Sequence, residues 1–138
     1  PEGNFVTPDG KILGRHKGII HYTIGQRKGL GLSLGYQAFV LEIRPDTNEV
    51  VIGTNEDLMT TRVRANKLNF MTVEDLEGEM RVFAKIRYNH KGDWCTVRKT
   101  GEDEIECIFE TPQRAVTPGQ ALVLYDGDYV LGGGTILG

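Results

Sequence analysis

The amino-acid sequence predicts a mainly β protein of two modules, a small β-rich central domain over residues 1–62 and a closed antiparallel β-barrel over residues 63–138. Three observations lead there. Helical periodicity is weak throughout, apolar residues recur with period two in short runs, and turn residues bound those runs. Gly supplies 18 of the 138 residues, about 13% against a usual ~7%, which suits a chain of many tight turns.

The elements follow in order. In residues 38–53, Phe39, Leu41 and Ile43 alternate with Val40 and Glu42, Pro45-Asp46-Thr47-Asn48 has turn chemistry, and Val50–Ile52 returns as the second strand of a hairpin. Asn55–Leu58 reads as one short helical turn. A second series of strands begins near Arg62. Along 81–88, Val82, Ala84, Ile86 and Tyr88 share one face and Arg81, Phe83, Lys85 and Arg87 the other, so one face is expected buried and the other basic. Residues 94–110 form a hairpin around Thr100-Gly101-Glu102-Asp103, with Ile105, Cys107 and Phe109 facing one way. The last pair runs through Ala121–Tyr125 and Tyr129–Gly133 around Asp126-Gly127-Asp128. Strands at this spacing leave edges that closure removes, hence the barrel.

Composition excludes several classes of function. With 16 basic and 19 acidic side chains the net charge is −3, so no overall field attracts a polyanion, and any anion site must be local. Two basic stretches hide in that total. Residues 10–41 carry Lys11, Arg15, Lys17, Arg27 and Lys28 without a carboxylate, and residues 81–100 oppose Arg81, Lys85, Arg87, Lys91, Arg98 and Lys99 only with Asp93. Acidic residues gather instead at 42–57, 74–79 and 102–110. No apolar run approaches the roughly 20 residues of a membrane span, and the first residues lack the basic and apolar regions of a signal peptide. No membrane partner and a cytoplasmic setting are expected. The chain opens on Pro1 rather than Met, which points to a piece of a longer protein.

Chemistry-bearing motifs are few. Cys95 and Cys107 have no CxxC partner and no His at ligand spacing, so they read as inward-facing core thiols and no metal site is expected. His16 and His21 share no strand face, which argues against a metal pair and leaves a turn or an RNA-facing role. The run Gly25–Leu32 matches neither GxGxxG nor a P-loop; it is either a Gly-rich turn or a basic loop offering Gln26, Arg27 and Lys28 to phosphate. Gly132-Gly133-Gly134 reads as a bulge or barrel corner, and Thr117-Pro118-Gly119-Gln120 as a turn entering a strand. No nucleophilic triad, carboxylate pair or nucleotide loop emerges, so no catalytic residue is expected in this chain. The residues describe a β-rich binding module.

Four separated stretches are more specific. Gly14-Arg15-His16-Lys17-Gly18 with Tyr22–Gly31, then Lys85-Ile86-Arg87-Tyr88, Ala115–Ala121 and Leu131–Gly134 closely resemble, in order, the bacterial tRNA-specific 2-thiouridylase family, which also carries an older methyltransferase label. Nothing resembles an S-adenosylmethionine site. The resemblance implies an enzyme that adenylates the wobble uridine U34 of tRNAs for Lys, Glu and Gln with ATP, then replaces oxygen with sulfur delivered as a persulfide from a sulfur-relay donor protein. It implies that the ATP-using domain and both catalytic cysteines lie outside this chain, which by itself is then inactive and takes no cofactor. It implies a barrel like the second domain of elongation factor Tu, with Arg87, Tyr88 and Gln120 contacting the anticodon region of tRNA. His16, Gln26, Arg27 and Lys28 would sit in a segment beside the active site. The competing expectation is a free-standing β-barrel that binds a protein or a nucleotide.

Overall fold

The structure is a computed structural model describing residues 1–69, 76 and 78–137. The chain divides into two compact units, Pro1–Met59 and Thr60–Gly138, where the sequence suggested a division after residue 62. Part of the acidic stretch 74–79 lies outside the described residues. No helix among them is long and apolar enough to cross a membrane.

The first unit holds β1 (Gly3–Val6), β2 (Ile12–His16), β3 (Phe39–Arg44) and β4 (Glu49–Gly53) in a sheet ordered β2-β1-β4-β3. The β3–β4 hairpin forms around Pro45–Asn48 as the turn chemistry demands, with a bulge between Val40 and Glu42. The β1–β4 pair is parallel, which local alternation does not predict, because it joins strands with β2 and β3 between them in the chain. Phe5, Tyr22, Leu30, Val40, Val50 and Ile52 pack as the core. Gly3 is required where β1 meets the β3–β4 turn: a Cβ there would stand 2.1 Å from the Asn48 carbonyl oxygen. The short helical turn appears as a single 3-10 turn at Glu56–Leu58.

The second unit holds β5 (Met59–Asn69), β6 (Met80–Lys85), β7 (Asp93–Gly101), β8 (Glu104–Arg114), β9 (Ala121–Asp126) and β10 (Tyr129–Ile136), closed in the order β10-β5-β8-β7-β6-β9. Hairpins β7–β8 and β9–β10 are local; the β6–β9 and β10–β5 pairings close the barrel between distant segments. Alternate residues point inward, among them Val82, Ala84, Cys95, Val97, Cys107 and Leu124, all buried. Each large aliphatic contributes roughly 1.5–3 kcal/mol through burial. The glycines of β10 fall at register shifts, as bulges, and backbone stands too close for a side chain at Gly133, against Leu122 of β9, and at Gly134, against Asn66 of β5.

One strand is shorter than its alternation suggested. β6 ends at Lys85; Ile86 still points inward, but Arg87–His90 is a turn closed by the His90 N–H on the Arg87 carbonyl at 3.1 Å. Arg87 therefore leaves the strand face it was expected to share with Arg81, and Tyr88 is fully exposed rather than facing inward. Once the strand stops, period two no longer governs where side chains point.

Candidate nucleic-acid interface

The turn after β6 and the turn before β9 meet on the barrel surface. Between them opens a cleft of about 480 Å³ lined by Lys85, Arg87, Tyr88, Gln120, Ala121, Val123 and Tyr125. Antiparallel pairing of β6 and β9 builds its floor, with Lys85 opposite Val123. Gln120 is set by the Thr117–Gln120 turn, whose closing N–H reaches the Thr117 carbonyl at 3.2 Å, while the Gln120 carbonyl accepts the Ile136 N–H at 2.9 Å. These bonds pin the turn to the end of β10. Arg87 spends one donor on the Arg114 carbonyl at 3.3 Å, which anchors the guanidinium beside the cleft. The Lys85 ammonium lies 5.6 Å from the centre of the Tyr125 ring, a cation–π contact. Two cations, two phenols and a carboxamide line the cleft with no carboxylate among them, so it favours an anion carrying flat groups.

Two other cations of the stretch 81–100, Arg81 and Arg98, are occupied. The Arg81 guanidinium donates to Glu110 at 2.6 and 3.1 Å and lies 4.2 Å over the Trp94 ring. That hydrogen bond raises the Arg81 pKa and lowers that of Glu110. Arg98 and Arg62 converge on Glu106, which is buried beneath them, and the Arg62 bond first and the Arg98 bonds second hold its carboxyl below the usual range. The stretch 81–100 is thus less basic in three dimensions than along the chain, because β8 brings carboxylates to it. Sequence reasoning did not single out Tyr125. Its signal was an aromatic at an outward position of β9, alternating with buried Leu122 and Leu124.

The segment of the first unit is placed as follows. His16 is buried; its Nε2 bonds to the Asn48 carbonyl at 2.8 Å and its Nδ1 accepts the Gly18 N–H at 3.0 Å, so both ring nitrogens serve the fold. Its ring packs edge-on against Phe5 and Tyr22. Gln26 staples its own turn, accepting the Thr23 N–H at 3.0 Å and donating to the Lys28 carbonyl at 2.9 Å. Both polar atoms of its side chain are thus engaged within the turn. Arg27 is exposed beside a second cleft of about 260 Å³ that also takes in Tyr36 and Gln37, and Lys28 is exposed outside it. Cys95 and Cys107 are buried free thiols, and the hydrogen bond between them, then burial, pushes Cys107 well up. Among the described residues no group of three or more His, Cys, Asp or Glu is placed to hold a metal ion.

Fold and site together define a two-module β protein whose closed barrel carries a cationic, aromatic surface cleft. Known families divide the chain the same way: the tRNA methyl transferase PRC-barrel domain matches residues 1–54 and the aminomethyltransferase beta-barrel domain matches residues 60–136. A tRNA-specific 2-thiouridylase MnmA of Lachnoclostridium phytofermentans is 68% identical over 98% of this chain and 38% of its own length. Enzymes of the same name from Koribacter versatilis and Clostridioides difficile are 52% and 51% identical over 97% and 98% of this chain, and 36% and 37% of theirs. The chain belongs to the tRNA-specific 2-thiouridylase family. It spans a little over a third of the length of these relatives.

Proposed function

We propose that this chain is the tRNA-holding portion of an enzyme that 2-thiolates the wobble uridine, U34, of tRNAs for Lys, Glu and Gln, and that the barrel cleft grips the anticodon region. The observation that carries the reading is the convergence of Arg87, Tyr88 and Gln120, from segments far apart in sequence, on one cleft with Lys85 and without a carboxylate. Arg87 and Lys85 meet phosphate, Tyr88 offers an exposed ring to an unstacked base, and Gln120 offers a donor and an acceptor to a base edge. With a net charge of −3 this chain offers RNA no overall attraction, so docking on it calls for such a local cluster.

In this reading ATP, the two catalytic cysteines and the sulfur-relay donor belong to the rest of the enzyme, and the setting is the cytoplasm, where tRNA is. Cys95 and Cys107 take no part, since they are sealed inside the barrel. The chain's role is to hold the anticodon loop while chemistry proceeds elsewhere, and by itself it neither binds ATP nor thiolates tRNA. The test is Arg87→Ala, assayed for binding to an unmodified lysine tRNA transcript at two salt concentrations. Affinity should drop by about 1–2 kcal/mol and the salt slope by about one. In the full-length enzyme ATP binding should be unchanged. Equal affinity of both proteins at both salts would reduce the cleft to solvated surface.

A further inference from the structure

The turn that carries Arg87 and Tyr88 lies outside every strand, and its tip is exposed. His90 holds it. His90 closes the turn twice, through its backbone N–H on the Arg87 carbonyl and through its ring Nδ1, which accepts the Ile86 N–H at 3.3 Å. The side chain of Gln113, a buried residue of β8, is a neighbour of the ring. Gln113 already spends its Nε2 on Asp93 Oδ2 at 3.0 Å and on the Thr111 carbonyl at 2.9 Å. With Nδ1 accepting the Ile86 N–H, the hydrogen of the neutral ring sits on Nε2. Asp93 is fixed in turn by the Thr111 hydroxyl and the Trp94 N–H. The acceptor that the Ile86 N–H needs exists only while the imidazole is neutral.

We propose that His90 is a positioning residue for the barrel cleft: its neutral ring latches the Arg87–Tyr88 turn, and protonation of the ring releases it. The proposal rests on the reading of the cleft as an RNA site. A protonated imidazole donates from both nitrogens, so Nδ1 and the Ile86 N–H would then face each other as two donors, and ring or turn must move. The groups facing the ring are Arg87 on the turn, Lys85 on β6, Asp93 on β7 and Gln113 on β8. Burial first and Arg87 next favour the neutral form, outweighing Gln113 and Asp93, so His90 titrates below the ordinary histidine value of 6.5. The latch is closed at neutral pH and opens on acidification. Electrostatics alone has the opposite sign, since a new positive charge beside Arg87 and Lys85 would tighten the grip on a polyanion.

Two measurements between about pH 7.5 and about pH 5 decide the matter. In NMR spectra of the chain alone, the Ile86 amide shift should follow the titration of the His90 ring. Binding of the unmodified lysine tRNA transcript should weaken about fivefold as His90 protonates, the size of one lost hydrogen bond. His90→Asn keeps an acceptor near the Nδ1 position without titrating, and should bind as the parent does at neutral pH and stay flat relative to it. Because His16 and His21 remain in that variant, it subtracts their contributions. Affinity that rises on acidification, or falls equally in His90→Asn, overturns the latch. So does an Ile86 amide that ignores the ring, whatever RNA does. If Arg87→Ala and the parent bind the transcript equally, it is the RNA reading that fails, and the Ile86 titration still judges the latch.

Discussion

Gly133 is the position where one added methyl group should cost the barrel most. A Cβ there would stand 2.0 Å from the Leu122 carbonyl oxygen and 3.0 Å from its carbon, against 3.4 Å or more in ordinary contacts. The obstacle is backbone, so no rotamer change relieves it. Gly133 pairs with Val123 and Gly134 with Leu122, so β9 and β10 must part by more than about 1 Å along a ladder whose hydrogen bonds tolerate only a few tenths. Overpacking costs about 1–3 kcal/mol, and one weakened ladder bond adds about 1 kcal/mol, for a total of about 2–4 kcal/mol in Gly133→Ala. For a unit of this size the melting temperature should fall by about 10–25 °C. The single tryptophan, Trp94, lies on β7, so a fluorescence melt reports the barrel unit. Gly101→Ala is the control. Its Cβ would meet Glu104 at an ordinary 3.5 Å, and its melt should stay within about 2 °C of the parent. A Gly133→Ala barrel melting within that same margin would refute the close approach of β9 and β10.

Three further outcomes are expected. Cys95 and Cys107 should resist thiol reagents in the folded chain, because both are buried and the bond between them, then burial, disfavours the Cys107 thiolate. Serine at either position should cost about 1–3 kcal/mol in a chemical denaturation curve, and fast labelling of both would contradict their placement. Glu106 is held below its ordinary value of 4.5, so the unfolded chain takes up that proton first on acidification. Its stabilising effect should be full above about pH 4.5 and lost as pH falls through the lowered folded-state pKa. Glu106→Gln should cost about 1 kcal/mol at neutral pH, a modest figure because both arginines are half-exposed, and should flatten the stability curve between pH 5 and 3; a curve of unchanged slope counts against the triad. His16→Ala removes two hydrogen bonds and a ring from the core of the first unit, and should destabilise that unit by about 2–4 kcal/mol while leaving the Trp94 melt in place.

The local elements were legible because they rest on local rules. The β3–β4, β7–β8 and β9–β10 hairpins are each two alternating runs joined by their own turn residues, and both cysteines fell at inward positions of strands whose alternation held. Part of the candidate cleft was legible only through resemblance. Arg87, Tyr88 and Gln120 carried no spacing that marked them as neighbours, and spacing alone made Gln120 an ordinary turn residue. Tyr125 was passed over because nothing along the chain says which aromatic stands beside a cation. The strand assigned through Tyr88 failed at its end, since apolar alternation continues in the sequence through Ile86 into a turn that period two does not describe.

By itself, then, the sequence determined the β class, the two modules, the hairpin turns, the glycine bulges, the inward face of β6 and β8 and the inward placement of both cysteines. These depend on residues within a few positions of one another, where pleat and turn chemistry act directly. The tertiary structure alone decided the parallel β1–β4 pair, the β6–β9 and β10–β5 pairings that close the barrel, the masking of Arg81 and Arg98 by carboxylates of β8, the burial of His16 on Asn48, and the meeting of Lys85, Arg87, Tyr88, Gln120 and Tyr125 on one cleft. Apart from the Arg98–Glu106 pair, which lies within the β7–β8 hairpin, each of those joins segments far apart in the chain. Which of them meet is settled by barrel closure and strand register, and these reflect the packing of the whole core rather than any local pattern.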